Sequence, residues 1–222
     1  MPYFSNDIVN LLFIHIPKTG GESLEKYFSE LYTIPLDNNS IYWFIAEDIK
    51  LEHNLSVNSS LQHLTYQTIM KYKEFFSIDM NDLEILTIVR NPYERIVSDL
   101  FWWNKITIDT SPAEVYEIIK TYLTEALDNH NIPQHLFLMD KNDQLLKNVT
   151  ILHTETLTND MIKLGHTRFN VRTNCNKHTV NYYEYLNDSS IRLINSFYKD
   201  DFKLLNYDVI RPSVDIPLFD GA

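Results

Sequence analysis

At 222 residues, 44% of them hydrophobic, the chain is long enough for one domain with a real core and short for two, so residues 1–222 are read as a single domain. A net charge of −11 excludes a broad nucleic-acid-binding surface, which needs a basic face, and disfavours a heavily anionic polymer as partner. The lone cysteine, Cys175, excludes an intramolecular disulfide, and no apolar run approaches the ~20 residues that span a bilayer.

From the N-terminus, Phe13 to Ile16 reads as a buried strand. It runs into Pro17-Lys18-Thr19-Gly20-Gly21-Glu22-Ser23, a tight turn that opens a helix. The whole chain has four glycines, against a usual share of ~7%, and two of them are adjacent here. Glycine admits φ > 0 and close approach of a ligand to the backbone. Unsatisfied N–H groups at a helix start favour an anion, and Lys18 adds a full positive charge. The turn is therefore expected to bind phosphate. It is not a Walker A loop, because its lysine precedes the glycine pair and no glycine lies upstream. The helix is expected over 22–31, with Leu24, Tyr27, Phe28 and Leu31 on one face.

Residues 36–60 read as a polar, irregular loop region. Residues 83–89 form an apolar, β-branched run expected to be a buried parallel strand, ending at Arg90. Pro92 suits the first turn of a helix, and Ser98 lies about two turns into it. Arg90 thus stands at the carboxyl end of a strand, where open α/β sheets take their ligands. Arg95, flanked by Glu94 and Asp99, reads as a helix-surface ion pair or as a ligand contact. A helix over 112–128 is signalled by Ser111 and Glu114 as a capping box, by Pro112, and by an apolar stripe from Val115 to Leu127. A third strand is expected at 148–153 and a short helix at 158–164 stopped by Gly165. An aromatic helix at 182–186 and a last helix at 189–200 follow. The alternation predicts an α/β chain: a P-loop-like three-layer fold, with a central parallel sheet flanked by helices.

The Pro-Lys-Thr-Gly-Gly turn resembles the 5′-phosphosulfate loop of the sulfotransferases, most closely the membrane-type, carbohydrate-directed, 2-O-sulfotransferase-like branch. Glu22 replaces that branch's usual threonine. Arg90 followed eight residues later by Ser98 resembles the same family's 3′-phosphate motif. The resemblance implies binding of 3′-phosphoadenosine 5′-phosphosulfate (PAPS) by residues 17–23, Arg90 and Ser98, with 3′,5′-adenosine bisphosphate as product and no metal. It implies transfer of the sulfuryl group to an acceptor hydroxyl, expected on a carbohydrate, with Lys18 neutralising the bridging oxygen. Gln62-His63-Leu64 resembles the segment that supplies the family's catalytic histidine, so His63 is the expected base, with His53 or Glu22 as rivals. His15 is expected to pack against a helix, and His153 to end the third strand.

Lys177 lies in Asn174-Cys175-Asn176-Lys177-His178, where relatives often carry Asn-Lys-Ser, and is a candidate phosphate contact. Gln134 resembles a glutamine that faces the acceptor. Phe101-Trp102-Trp103 is read as core, with a sugar-binding face as the alternative. Animal members of the branch are typically Golgi membrane proteins. This chain is expected to be soluble and cytoplasmic, with the Golgi lumen as its setting only if an anchor has been trimmed away. The competing readings are an ATP-dependent kinase with an unusual loop and a non-catalytic nucleotide-binding relative.

Overall fold

In the computed structural model, residues 2–37, 57, 59–170 and 180–212 are described. His53, Lys177 and most of the 36–60 region lie outside them. Four strands, β1 (Tyr3–Ser5), β2 (Asn10–Ile14), β3 (Glu84–Val89) and β4 (Val149–His153), form one sheet in the order β1-β2-β3-β4. β2, β3 and β4 run parallel, with Leu12 opposite Ile85 and Thr87 opposite Ile151. The expected parallel sheet is thus present at these three strands. β1 adds an antiparallel edge, Tyr3 opposite Leu12, too short for its alternation to register in the sequence.

Side-chain alternation gives the sheet two buried faces. Leu11, Phe13, Leu86, Ile88 and Leu152 pack on one side with Leu24 and Phe28 of α1 (Gly21–Tyr32). Leu12, Ile14, Ile85 and Val89 pack on the other with Phe137 and Leu138. Polar Thr87, fully buried within β3, is satisfied by donating to the Ile14 carbonyl at 2.8 Å. A short helix, α2 (Tyr66–Lys71), precedes β3. On α1, Leu31 proves exposed while Glu25 is fully buried, because the inward face is turned to bring Glu25 onto His15.

The helix α3 (Pro92–Trp102) starts as the sequence signals, with Asn91 Oδ1 accepting from the Tyr93 amide and Pro92 in the first turn. α4 (Pro112–Tyr122) has both halves of its capping box and buries Val115, Ile119 and Tyr122. It ends six residues before the expected 128. Beyond it the chain turns through Asp128 (φ 48°) and Asn129 (φ 63°), a left-handed pair that a helix cannot contain. α5 (Leu157–Lys163) is stopped by Gly165 at φ 92°, as expected. The aromatic segment forms a 3₁₀ turn, Tyr182–Tyr185. The last helix divides into α6 (Asp188–Phe197) and α7 (Lys199–Leu204) around buried Tyr198. These helices and α3 enclose a further apolar cluster that includes Ile96, Leu100, Ile119, Ile194 and Phe202.

Candidate active site

Between β2 and α1 the loop turns its carbonyls into the protein. The Ile16 carbonyl accepts from Thr19 Oγ1 at 2.8 Å, Pro17 from Arg95 Nε at 3.0 Å, and Lys18 from Arg90 Nη1 at 3.3 Å. Thr154 Oγ1 lies 2.6 Å from the Thr19 carbonyl, and the Ser23 amide bonds Gly20 at 3.2 Å. In a trans peptide the N–H points opposite its carbonyl. Five anchored carbonyls in a row therefore aim the amides of Lys18, Thr19, Gly20 and Gly21 away from the packed side. α1 begins at Gly21 with no side-chain cap.

The two glycines serve different ends. Gly20 has φ 89°, and a Cβ there would meet none of the described residues within 4 Å, so its need is conformational. At Gly21 a Cβ would lie 2.5 Å from the His15 ring, so this glycine is required by close packing. Lys18 itself is held at φ 67°, a left-handed conformation that costs a non-glycine residue about 1–2 kcal/mol.

Arg90 meets this loop from the end of β3. Its backbone is bracketed by Gln134, whose Oε1 accepts from the Arg90 amide at 2.9 Å and whose Nε2 donates to the Arg90 carbonyl at 2.8 Å. Gln134 is fully buried in this role and does not face an acceptor; the expectation that it does is corrected. The Arg90 guanidinium reaches Glu94 at 3.2 Å and lies 4.9 Å from the Tyr182 ring centre. Its Nε is buried with no hydrogen-bond partner among the described residues. Glu155 Oε1 takes the next amide, that of Asn91, at 2.7 Å.

Arg95 is neither a surface ion pair nor an open ligand contact. It is 2% exposed and donates to the carbonyls of Pro17, Ile132 and His130, tying the loop to α3. The ion pair forms instead between Arg90 and Glu94, while Asp99 turns inward. Glu94, Ser98 and Trp102 follow one another at four-residue intervals along α3. Ser98 is half-buried, and Lys18 Nζ stands 4.2 Å from the Trp102 ring centre. Burial lowers the Lys18 pKa; Asp99 and Glu22 oppose that shift and Arg90 adds to it. Glu22 sits in the first turn of α1, where its charge acts on this lysine.

From His15, which packs on Gly21, extends a wall of paired histidines. His63 closes a 3₁₀ turn (Leu61–His63), and its Nδ1 is 2.8 Å from Asp128 Oδ2. Ser60 holds the same carboxylate through its hydroxyl at 2.9 Å and through its amide. Asn129 Nδ2 donates to the His63 carbonyl at 2.9 Å. The left-handed pair 128–129 thus grips His63 at both ends. His130 Nδ1 is 2.7 Å from Asp99 Oδ1, which lies on α3, and His15 Nδ1 is 2.5 Å from Glu25. His15 therefore packs on a helix, as expected. The His63 ring meets those of His15 and His130 edge-on, at 5.4 and 4.8 Å.

Burial drives the His63 pKa down to about 4; the Asp128 bond resists, and His15 and His130 add to the drop. Asp128 is lowered, since the bonds from His63 and Ser60 overcome its burial. An ionised carboxylate only accepts, so His63 Nδ1 carries the proton and Nε2 keeps a lone pair. His63, Asp128 and His130 also bring potential metal-ligating atoms within 4.8 Å of one another. Asp128 is bonded to His63 and Ser60, and His130 Nδ1 to Asp99; a carboxylate on Nδ1 orients each imidazole and leaves Nε2 as its other ring nitrogen.

Asp128, His130 and Asp99 join the site without a sequence motif of their own. The run Asp128-Asn129-His130-Asn131, turn-formers directly after an apolar helix, was the available signal. His153 ends β4 as expected and lies against Tyr207 at 5.5 Å, apart from the histidine wall. The description of the family model that matches this chain, over residues 1–208, is "Sulfotransferase family". No curated protein and no solved structure matches it.

Proposed function

The chain belongs to the sulfotransferase family, and from that premise we propose that it moves the sulfuryl group of PAPS to a hydroxyl of a glycan acceptor. The observation that carries the reading is the junction at Lys18, whose carbonyl accepts from Arg90 at 3.3 Å and so joins the two anion-seeking parts in one cradle. The residues fit the nucleotide. Outward amides and Lys18 suit a 5′-phosphate, and Arg90, whose buried Nε has no partner among the described residues, and Ser98 suit a 3′-phosphate. When bound, PAPS supplies a sulfuryl group on a phosphate leaving group.

His63 Nε2 takes the acceptor proton as the new O–S bond forms and the bond from sulfur to the phosphate oxygen breaks. Asp128 holds the imidazole in orientation and stabilises the imidazolium as it appears. Lys18 neutralises the departing oxygen, its reluctance to stay charged in a buried setting being relieved by that negative partner. Most of the rate then comes from alignment and charge, as in phosphoryl transfer.

Calorimetric titration tests the reading. Tight, magnesium-independent binding of 3′,5′-adenosine bisphosphate, weakened by Arg90→Ala, is the expected result. Preference for magnesium-ATP would overturn it in favour of a kinase. Bisphosphate binding with no transfer to any hydroxyl acceptor, and indifference to His63→Ala, would leave a non-catalytic relative.

A further inference from the structure

Trp102 and Trp103 close α3 with 51% and 38% of their surface exposed, against the expectation that they are core. Single exposed apolar residues need no explanation, but two adjacent indoles beside a reactive cluster do. Each touches one side of the site. Lys18 Nζ lies 4.2 Å from the Trp102 ring, and Trp103 meets His130 edge-on at 5.3 Å, with His63 a further 4.8 Å along. The pair therefore spans the gap between the lysine at the cradle and the histidine base.

The shelf is also rigid. Asn104 is left-handed (φ 53°), its amide bonds the Phe101 carbonyl at 3.1 Å, and the Lys105 amide bonds Leu100 at 2.9 Å. That double closure is a Schellman motif, which fixes the last helical turn. Lys105 is pinned in turn to Glu125 at 2.7 Å. Indoles held on a locked helix end lose little freedom when a ligand covers them.

We propose that Trp102 and Trp103 are the acceptor platform, and that the group resting on them is a neutral pyranose ring. This deepens the sulfotransferase reading and depends on it. A pyranose has an apolar C–H face for an indole and a rim of hydroxyls. Trp103 touches His130, and next along the wall stand His63 and the half-buried Asp128 carboxylate, polar groups that such a rim can use. A phenol or an alkyl alcohol would cover the indoles but carries no second hydroxyl to add to those groups, so it forgoes the polar contacts that a sugar rim can make. A net charge of −11 argues against a polyanionic saccharide, so the ring is a neutral one.

The test uses ¹⁵N-labelled protein saturated with 3′,5′-adenosine bisphosphate, following indole N–H signals assigned with Trp102→Phe and Trp103→Phe. The probes are methyl β-glucopyranoside, methyl β-galactopyranoside and methyl N-acetyl-β-glucosaminide, with 4-nitrophenol and octanol for comparison. Saturable shifts of the Trp102 and Trp103 signals with at least one pyranoside, and none with the phenol or alcohol, are expected. In transfer assays with that pyranoside, Trp103→Ala should raise KM about tenfold, equivalent to ~1.4 kcal/mol, while Trp103→Phe restores most of it and bisphosphate affinity stays unchanged. Shifts with the phenol or alcohol alone, or with no probe, would overturn the platform. Failure of the bisphosphate to bind would instead strike the sulfotransferase reading, so the two failures are distinct.

Discussion

The cradle and the histidine wall meet where Gly21 packs on His15 but are built by different means. The cradle is mostly backbone: five consecutive carbonyls, 16–20, are anchored, and its side-chain donors come from Thr19, Arg90, Arg95 and Thr154. The wall is mostly side chains, in which His15, His63 and His130 are each tied through Nδ1 to a carboxylate. The turn itself is written locally, in Gly20 and its neighbours, although its anchors come from Arg90, Arg95 and Thr154; the histidine pairs join residues from 10 to 65 positions apart. Asp128 is 65 residues from His63. A cradle of this kind suits a constant anion, and a wall of titratable pairs suits proton transfer.

Removing the charges of the cradle should have the largest effect. Lys18→Ala with Arg90→Ala is expected to lower PAPS turnover by at least ~10³-fold, each lost contact being worth about 10²-fold or more. Undiminished turnover would detach the cradle from the chemistry. Breaking the wall at Asp128→Asn should cost about 10²-fold in kcat, within the usual range for general-base catalysis. It should also move the acid limb of the rate profile to lower pH, because the Asp128 bond raises the His63 pKa. An unshifted limb would make Asp128 structural only.

The two glycines contrast the parts at the level of stability. Gly21→Ala drives a methyl into the His15 ring, which Glu25 holds, and should cost about 1–3 kcal/mol in urea unfolding. Gly20→Ala meets none of the described residues and should cost only the ~1–2 kcal/mol of a left-handed alanine. The wall should also make stability depend on acidity. Since folding depresses the His63 pKa from 6.5 to about 4, its contribution is complete above pH 6.5 and is lost as pH falls toward 4. Lowered Glu25, Asp99 and Asp128 carboxylates extend the loss at still lower pH. His63→Gln should flatten the upper part of this slope in unfolding midpoints measured across that range. Smallest of all, Glu94→Gln frees Arg90 from its partner and should tighten bisphosphate binding about threefold, a surface-pair energy below ~1 kcal/mol.

How much was legible follows the same division. The loop, Arg90 at its strand end, the α4 cap and the Gly165 stop are written in adjacent residues, and each could be read. Which carboxylate meets which histidine is not local information, so the sequence sets Asp99 only beside Arg95 and singles out His63 by resemblance without its Asp128 partner. Arg95 misled because Glu94 and Asp99 beside it satisfy the helix-pair pattern, whereas burial sends it to three carbonyls. Trp102 and Trp103 misled for the converse reason: indoles usually mark a core, and only a closed helix end shows them facing outward.

The anchoring of the loop carbonyls has a further consequence, for how the protein survives. Donors from Arg90, Arg95 and Thr154 make the cradle depend on segments more than 70 residues away, so it completes only when most of the chain is in place. Local opening would then abolish nucleotide affinity while helices persist, and a bound nucleotide would protect the folded form by mass action, about 2.7 kcal/mol at a hundred times its dissociation constant. On the proposed reading, the cofactor would be the molecule's pharmacological chaperone as well as its substrate. Cells depleted of it should hold less of the protein, through faster turnover by proteases.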